Sequence, residues 1–146
     1  MEKAFMTGCN SVTEWQLPWF SQNFKKYNPD IAIIFADFGV TDEMRKYAEG
    51  MFDVIIDMRE DDGRRGWMKK PHAMASSVAD NTCWLDTDCQ VLADISDIFD
   101  YTKPEKLCMV EDRPWSKRRE ETWHNSGVVA FEKKPRVLLD WAKMCV

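Results

Sequence analysis

The sequence predicts an α/β domain with a largely parallel central sheet. This fold class is favoured because short apolar, strand-like segments alternate with segments of helical spacing along the chain. A chain of 146 residues is long enough for one substantial core and short for a two-domain enzyme. We therefore expect one domain that spans residues 1–146.

The first half of the chain is predicted to hold three strands and two helices. The strands are expected at 4–7, 31–36 and 52–56. Ser11 and Glu14 have the spacing of a capping box, and Pro18 marks either a kink or the start of a second helical part. Thr41 is expected to cap a short helix that stops at Gly50.

The second half is predicted to hold three more strands, at 82–85, 107–110 and 127–131. A charged loop covers 59–66, and Pro71 is expected in the first turn of a helix that runs to about Ala79. The basic stretch 113–123 is expected to be irregular. Pro135 starts the last helix, whose lack of a glycine cap suggests that the chain stops short of a longer relative's end.

Composition excludes several classes of protein. A hydrophobic content of 45% indicates a globular chain, and a net charge of −5 disfavours binding to nucleic acid or an anionic membrane. No apolar run approaches the roughly 18–20 residues of a membrane span, and we expect no leader peptide. The five cysteines lack Cys-x-x-Cys spacing, which favours a reducing, cytoplasmic location. A homo-oligomer is compatible with the sequence.

Asp86 and Asp88 follow a buried strand one residue apart. In a regular strand, residues i and i+2 face the same side, so both carboxylates are expected to face one pocket. Neighbouring carboxylates repel each other, and a divalent cation such as Mg²⁺ or Mn²⁺ relieves that repulsion. The alternative is that these are ordinary acids where a strand leaves the core.

Polar side chains also follow the other predicted strands. They are Thr7, Asn10, Asp37, Asp57, Asp86, Asp88, Glu111 and Asp112. Any one of them is more often a turn residue or a helix cap than a ligand. Because ligands of open α/β sheets bind outside the carboxyl ends of the strands, their convergence predicts a polar pocket for a metal and a hydroxyl-rich ligand.

Five sequence blocks occur in order along the chain. They are Ala4 to Asn10, Asp37 to Glu43 with an Asp-x-Gly turn, Trp67 to Pro71 with a Lys-Pro pair, Leu85 to Asp88 followed by Ile95 to Phe99, and His124 to Phe131 with an Asn-Ser-Gly sequence. In this order and spacing the blocks resemble the nucleotide-sugar glycosyltransferases of the GT-A fold, especially those similar to glycogenin and bacterial lipopolysaccharide galactosyltransferases.

The resemblance implies a metal-dependent glycosyltransferase. It would move a sugar from a nucleoside diphosphate sugar to a carbohydrate or other hydroxyl acceptor, with Mn²⁺ or Mg²⁺ as cofactor. Asp88 would chelate the metal, and Asp86 would contact the metal or the ribose. The glycogenin-like pattern favours retention of the anomeric configuration, although no nucleophile can be named.

The resemblance also implies roles for other residues. The donor nucleotide would contact Thr7, Gly8, Asn10, Asp37, Lys70 and Asp86. The donor sugar and acceptor would contact Asn125, Ser126 and Gly127, with Asp112 and Asn125 as the catalytic candidates. Lys70 has the alternative of a solvated lysine at a helix start. Asp112 has the alternative of a turn acid before Pro114.

The chain departs from the family after Phe131. The family's later metal-binding His and its Asp-Gln pair have no counterpart there, so the metal shell would be completed by diphosphate and water. A second interpretation is therefore a non-enzymatic or partner-dependent nucleotide-sugar-binding module. A third, a nucleotidyltransferase, lacks the Gly-rich basic loop that grips a triphosphate. Lys117, Arg118 and Arg119 could meet an anionic acceptor or form a solvated charge run.

Overall fold

The computed structural model describes residues 1–59 and 65–145, so most of the loop predicted at 59–66 lies outside the described residues. The described chain has the predicted α/β architecture. Its strands are β1 (Lys3–Cys9), β2 (Ala32–Asp37), β3 (Val54–Asp57), β4 (Asn81–Leu85), β5 (Leu107–Glu111) and β6 (His124–Glu132). Its α-helices are α1 (Leu17–Tyr27), α2 (Asp42–Met51), α3 (Gly66–Ala75), α4 (Arg113–Arg119) and α5 (Arg136–Met144), and two short 3-10 segments cover Glu14–Gln16 and Ser96–Tyr101.

The six strands form one mixed sheet in the order β3-β2-β1-β4-β6-β5. Strands β1 to β4 pair in parallel, whereas β6 is antiparallel to both β4 and β5. The start of β6 therefore lies beside the carboxyl ends of the other five strands. This reversal brings the segment 124–127 to the sheet edge where ligands bind in open α/β folds.

The core lies on both faces of the sheet. One face carries an aromatic cluster under α1 and α2, in which the ring of Phe5 packs edge-on against Phe24 and Phe99 at 5.1 and 5.0 Å between centroids. The other face lies under α3 and α5, where Trp84 stacks on Phe38 at 6.2 Å. Burying one such side chain contributes roughly 1.5–3 kcal/mol. The two-sided burial explains why the central strands are apolar throughout.

The helix starts in the first half differ in part from the prediction. The capping box does not form, because Glu14 instead accepts hydrogen bonds from the backbone N and the hydroxyl of Thr41 at 2.7 and 2.8 Å. Thr41 caps α2 as predicted, accepting from the backbone N of Met44 at 3.3 Å. Helix α2 continues through Gly50 to Met51, and Pro18 lies in the first turn of α1.

Helix α3 lies further towards the N-terminus than predicted. It begins at Gly66, so Pro71 is in its interior, and it ends at Ala75. Pro71 is buried, and contacts between α3 and α5 hold a helix that lacks one backbone hydrogen bond. The chain turns after Ala75 because the hydroxyl of Ser77 bonds to Thr82 at 2.6 Å, which ties the turn to β4.

The stretch predicted to be irregular after β5 is the short helix α4. Asp112 caps it by accepting a hydrogen bond from the backbone N of Trp115 at 3.3 Å, and Pro114 occupies its first turn. The helix ends at Arg119, and the next residue, Glu120, follows in a left-handed conformation with a φ of 55°. An acid followed by a proline in the first turn is a start signal that could have predicted this helix.

The described helices are short. The longest, α1, has 11 residues, whereas a membrane-spanning helix needs about 20. Within 1–59 and 65–145, no helix has the length and apolar character to cross a membrane.

Candidate functional site

A cleft of about 480 Å³ opens at the carboxyl edge of β1 and β4, and we call it the β1/β4 cleft. It lies between the end of β1, the start of α3 and the turn after β4. Five of the predicted site residues line it: Gly8, Asn10, Lys70, Asp86 and Asp88. The structure therefore brings together residues from three distant parts of the sequence.

Asp86 and Asp88 line the cleft from a turn and not from a strand. Strand β4 ends at Leu85, and the backbone N of Cys89 donates to the carbonyl of Asp86 at 3.0 Å. The strand alternation used to predict their common direction therefore does not apply. The turn nevertheless directs both carboxylates to the same cleft, with Asp86 half-buried and Asp88 exposed.

Asp86 is held by contacts on three sides. Its Oδ1 accepts hydrogen bonds from Lys70 Nζ and from the indole Nε1 of Trp84, both at 2.7 Å. Its backbone N donates to the carbonyl of Gly127 at 2.9 Å. These contacts fix the orientation of the carboxylate. Its second oxygen, Oδ2, takes part in none of them.

Lys70 is the central cation of the site. Its side chain is buried, and its ammonium donates to the carbonyl of Ser126 at 3.0 Å in addition to its ion pair with Asp86. A buried ammonium requires such partners because desolvation disfavours an unpaired charge. The alternative of a solvated lysine at a helix start is wrong, since Lys70 lies inside α3 and joins that helix to the start of β6.

The two aspartates fit a partly protein-made cation site. No group of three or more His, Cys, Asp or Glu side chains in the described part of the chain could hold a metal ion. Asp88 makes no hydrogen bond or ion pair with the described residues, and Asp86 keeps Oδ2 free of the contacts above. Mg²⁺ is typically bound by one or two carboxylates together with phosphate oxygens and water. The metal role of both residues stays a prediction.

The end of β1 forms the floor of the cleft. A side chain at Gly8 would place its Cβ 2.7 Å from the carbonyl of Ala36 and 3.0 Å from the ring of Phe38, so packing requires glycine there. Asn10 follows, and its Oδ1 accepts a hydrogen bond from the backbone N of Val12 at 3.0 Å. This turn holds the amide of Asn10 at the cleft wall.

Thr7 and Asp37 do not join this group. Both are fully buried and neither lines the cleft. Asp37 closes the turn between β2 and α2, because its Oδ1 accepts from the backbone N of Gly39 and of Val40 at 2.8 and 3.0 Å. Its Oδ2 pairs with Arg45 at 2.8 Å. The side chains of Thr7 and Asp37 thus present no surface to a nucleotide in this arrangement, which corrects their predicted placement at the pocket.

Asp57 also lies apart from the cleft, at the end of β3. It pairs with Arg59 at 2.8 Å and with Arg45 at 3.4 Å. The hydrogen bonds from Arg59 lower the pKa of Asp57 to about 2. Asp57 therefore stays ionised at neutral pH and neutralises arginines outside the β1/β4 cleft.

A second concavity of about 490 Å³ lies between the start of β6 and α4, and we call it the β6/α4 cavity. The four remaining predicted site residues line it: Asp112, Asn125, Ser126 and Gly127. Asp86 lines both this cavity and the β1/β4 cleft. The two concavities therefore meet at one carboxylate.

Gly127 is tightly confined at this junction. The side-chain Oδ1 of Asn125 accepts a hydrogen bond from the backbone N of Gly127 at 2.8 Å. A Cβ on Gly127 would lie 2.9 Å from that oxygen and 3.5 Å from Oδ2 of Asp86. Any side chain at position 127 would thus displace the side chain of Asn125 and place its Cβ in van der Waals contact with the shared carboxylate.

Asp112 has a structural role and also lies at the predicted site, and its catalytic role stays a prediction. It caps α4 through the backbone N of Trp115, which is the structural alternative. It also lines the β6/α4 cavity and is only half-buried. One carboxylate oxygen is committed to the cap, and the residue still faces the cavity.

Several lining residues were not predicted. Gln16 fixes the aspartate turn by accepting a hydrogen bond from Thr87 at 2.6 Å, and Arg65 and Trp67 form the wall at the start of α3. The indole of Trp67 is 65% exposed. A large aromatic beside a charged loop is a signal that could have placed Trp67 at the cleft.

Cys9 lines the β1/β4 cleft, yet we expect it to be unreactive. Burial, with the charges of Glu14 and Asp37, raises the pKa of its thiol to about 12. Because the thiolate is the nucleophile, iodoacetamide at pH 8 should leave Cys9 unmodified in the folded protein and label it after denaturation. Peptide mass spectrometry of both samples checks this. Complete labelling of Cys9 in the folded state would contradict the burial described here.

The sequence matches no protein-family model and no curated protein. Solved structures of glycosyltransferases nevertheless resemble the described fold. An active-site mutant of LgtC gives a TM-score of 0.68 at 17% identity, covering 96% of this chain and 59% of that chain. GlyE of Streptococcus pneumoniae TIGR4 gives 0.72 at 16% identity, covering 99% and 37%. The bifunctional glycosyltransferase WbbM gives 0.61 at 10% identity, covering 99% and 34%.

At these identities the similarity establishes the fold. The chain has the GT-A fold of these glycosyltransferases, as the order of its sequence blocks predicted. It spans 59% of the LgtC chain and 37% of the GlyE chain.

Proposed function

We propose that this chain is a metal-dependent glycosyltransferase that moves a sugar from a nucleoside diphosphate sugar to a hydroxyl acceptor. The observation that supports this proposal most strongly is the junction of two concavities at Asp86. One concavity carries two carboxylates and a buried ammonium, and the other carries amide, hydroxyl and carboxylate groups. A donor and an acceptor need such adjoining sites, and the fold is one found in glycosyltransferases.

In the proposed site, Asp88 and Oδ2 of Asp86 hold Mn²⁺ or Mg²⁺. The bound cation supplies Lewis-acid stabilisation of charge on the departing diphosphate. Lys70 adds a fixed positive charge next to Asp86, at 2.7 Å from its Oδ1, and keeps that carboxylate oriented.

The donor nucleotide is proposed to lie in the β1/β4 cleft. Gly8 keeps the floor free of side-chain atoms, and the amide of Asn10 offers hydrogen bonds at the wall. Trp67 provides an exposed aromatic face, on which a nucleobase can stack. Thr7 and Asp37 have no part in this proposal because their side chains are buried.

The sugar is proposed to lie where the two concavities meet, beside Asn125, Ser126 and Gly127. During transfer, the bond from the anomeric carbon to the diphosphate oxygen breaks, and its electron pair goes to the diphosphate. The acceptor oxygen bonds to that carbon and its proton is released. Asp112 and Asn125, which line the acceptor side, are the proposed catalytic residues. The glycogenin-like sequence pattern favours retention of the anomeric configuration. Determining the anomeric configuration of the product by NMR would distinguish retention from inversion.

Release of nucleoside diphosphate from a panel of nucleotide sugars in the presence of Mn²⁺ tests the proposed function. Slow hydrolysis to water reports the chemistry even when the acceptor is unknown. We expect release from at least one donor, with loss of release in excess chelator. Tight binding of a donor without any release in the presence of acceptors would contradict the proposed activity.

A nucleotide-sugar-binding module that needs a partner remains the second candidate function. One observation favours it: the described residues supply only two carboxylates at the proposed cation site. This candidate predicts donor binding without release in the donor panel. The same experiment therefore separates the two functions.

Replacing Gly127 with Val should impair donor-sugar hydrolysis much more than binding of nucleoside diphosphate. The added side chain would meet Asn125 and Asp86 at the proposed sugar position, whereas the nucleotide lies nearer Gly8 and Asn10. We expect at least a tenfold loss of hydrolysis, about 1.4 kcal/mol in barrier. Diphosphate affinity by calorimetry and hydrolysis rates check this.

Gly50→Val is the matched control for that substitution, since a Cβ at Gly50 meets nothing within 4 Å. Gly50 lies in α2, away from the carboxyl edge of the sheet. An equal loss of diphosphate affinity and hydrolysis in Gly127→Val, together with a lowered melting temperature, would show that Gly127 only relieves backbone crowding.

A further inference from the structure

Two arginines and two tryptophans form a cluster at the end of α4. We call it the Trp–Arg cluster, and it consists of Trp115, Arg118, Arg119 and Trp123. The indole rings lie 6.2 Å apart at an interplanar angle of 36°. The guanidinium carbon of Arg119 lies 5.4 Å from the ring centre of Trp115 and 6.0 Å from that of Trp123, and Arg118 lies 4.9 Å from Trp115.

The cluster holds Arg119 without neutralising it. A guanidinium over an indole face is attracted by the ring, and its N–H donors stay free for other acceptors. No carboxylate in the described part of the chain forms an ion pair with Arg118 or Arg119. The adjacent Glu121 accepts a hydrogen bond from the indole N of Trp123 at 2.9 Å. Arg119 is thus an oriented cation with unused donors.

Arg119 lines the β6/α4 cavity, and the walls of this cavity carry charged and polar side chains. Asp112 caps the first turn of α4, and Arg119 is the last residue of that helix. The two residues are seven positions apart, about 10 Å along the helix axis. The cavity therefore carries two acidic side chains, Asp86 and Asp112, and one arginine, Arg119.

We propose that the β6/α4 cavity is the acceptor subsite and selects a hydroxyl acceptor that carries an oxyanion, bound by Arg119. This inference rests on the proposed glycosyltransferase function and adds the chemical class of the acceptor. The reacting hydroxyl lies beside Asp86, which the cavity shares with the donor cleft. The carboxylate or phosphate of the acceptor lies at the guanidinium of Arg119 in the Trp–Arg cluster.

Charge supports a short-range mechanism of selection. The chain carries a net charge of −5, so the whole protein does not attract anions over long distances. At physiological salt, screening limits the range of interactions between exposed charges to about 8 Å. An anion therefore gains its affinity from direct contact, and a planar guanidinium binds carboxylate or phosphate through two parallel hydrogen bonds.

A titration with three matched sugars tests this inference. Glucose, glucuronate and glucose 6-phosphate are titrated in metal-free buffer, with binding followed by ligand-observed NMR. We expect at least one anionic sugar to bind about tenfold or more tightly than glucose, in line with a charge-assisted bidentate contact. A preference for glucuronate identifies a carboxylate, and a preference for glucose 6-phosphate identifies a phosphate.

Arg119→Gln should reduce this preference to near parity. Lys117→Gln is the matched control, because it removes the same charge from the same helix at a residue that does not line the cavity. Arg119→Lys should restore part of the preference, since a point charge replaces a two-pronged contact. Circular dichroism and melting temperature show that each variant is folded.

Three results would overturn the inference. They are equal or undetectable binding of all three sugars, an equal effect of Arg119→Gln and Lys117→Gln, and a phosphate preference that survives Arg119→Gln. The last would place the anion in the β1/β4 cleft. Nucleoside diphosphate release from donors is measured separately, so the acceptor class can fail while the proposed transferase function stands.

Discussion

Asp88→Asn should abolish Mn²⁺-dependent binding of nucleoside diphosphate and leave the fold intact. Asp88 is exposed and makes no hydrogen bond or ion pair with the described residues, so its neutralisation changes stability by only about 0.5 kcal/mol. The same change removes one of two carboxylates from the proposed cation site. Because few protein ligands hold the cation, losing one should have a large effect on binding.

Calorimetry with uridine and guanosine diphosphate, with and without Mn²⁺, measures this effect. Asp97→Asn is the control, since Asp97 is also exposed but lies in the 3-10 segment Ser96–Tyr101, outside the cleft. We expect the wild type and the Asp97 variant to bind metal and nucleotide cooperatively. Unchanged nucleotide affinity in Asp88→Asn, or in the wild type with excess chelator, would show that nucleotide binding does not depend on a metal at this site.

Lys70→Met should lower both stability and nucleotide binding. The substitution leaves Asp86 without its cation and removes the contact between α3 and the start of β6. Removing one partner of a fully buried pair costs about 3–5 kcal/mol. The side chain of Asp86 is 34% exposed, so solvent screening reduces the expected loss to about 2 kcal/mol.

A double-mutant cycle with Asp86→Asn isolates the coupling between the two side chains. Urea unfolding of the wild type, both single variants and the double variant gives the four free energies that the cycle needs. We expect the double variant to be more stable than the sum of the single losses predicts. Strictly additive losses in the free energy of unfolding would show that Lys70 stabilises the protein through its contact with Ser126 alone and not through the carboxylate of Asp86.

The sheet could be predicted from the sequence to within a few residues, because buried strands give uninterrupted apolar runs. The direction of β6 could not, since an apolar run such as Val128 to Phe131 reads the same in either direction. Helix α4 was missed because the basic stretch 113–123 was expected to be irregular, although a proline at position 114 fits the first turn of a helix.

The site was predictable where polar residues follow strands into open space, as at Asn10 and Asp86. It was not predictable where the same type of residue serves the fold. Asp37 also ends a strand, but the backbone amides of the next turn and Arg45 use both of its oxygens. Sequence alone shows that a carboxylate is present and does not show which neighbours satisfy it.

The strand order has a consequence for how the chain folds. Strand β5 precedes β6 in the sequence, yet it pairs with the sheet only through β6. During synthesis, Leu107–Glu111 must therefore wait as an unpaired apolar segment until the later strand emerges and inserts beside β4. The same insertion joins the backbones of Asp86 and Gly127, which are far apart in sequence. Such non-local pairing is slow, so the junction of the two concavities is among the last parts of the molecule to form.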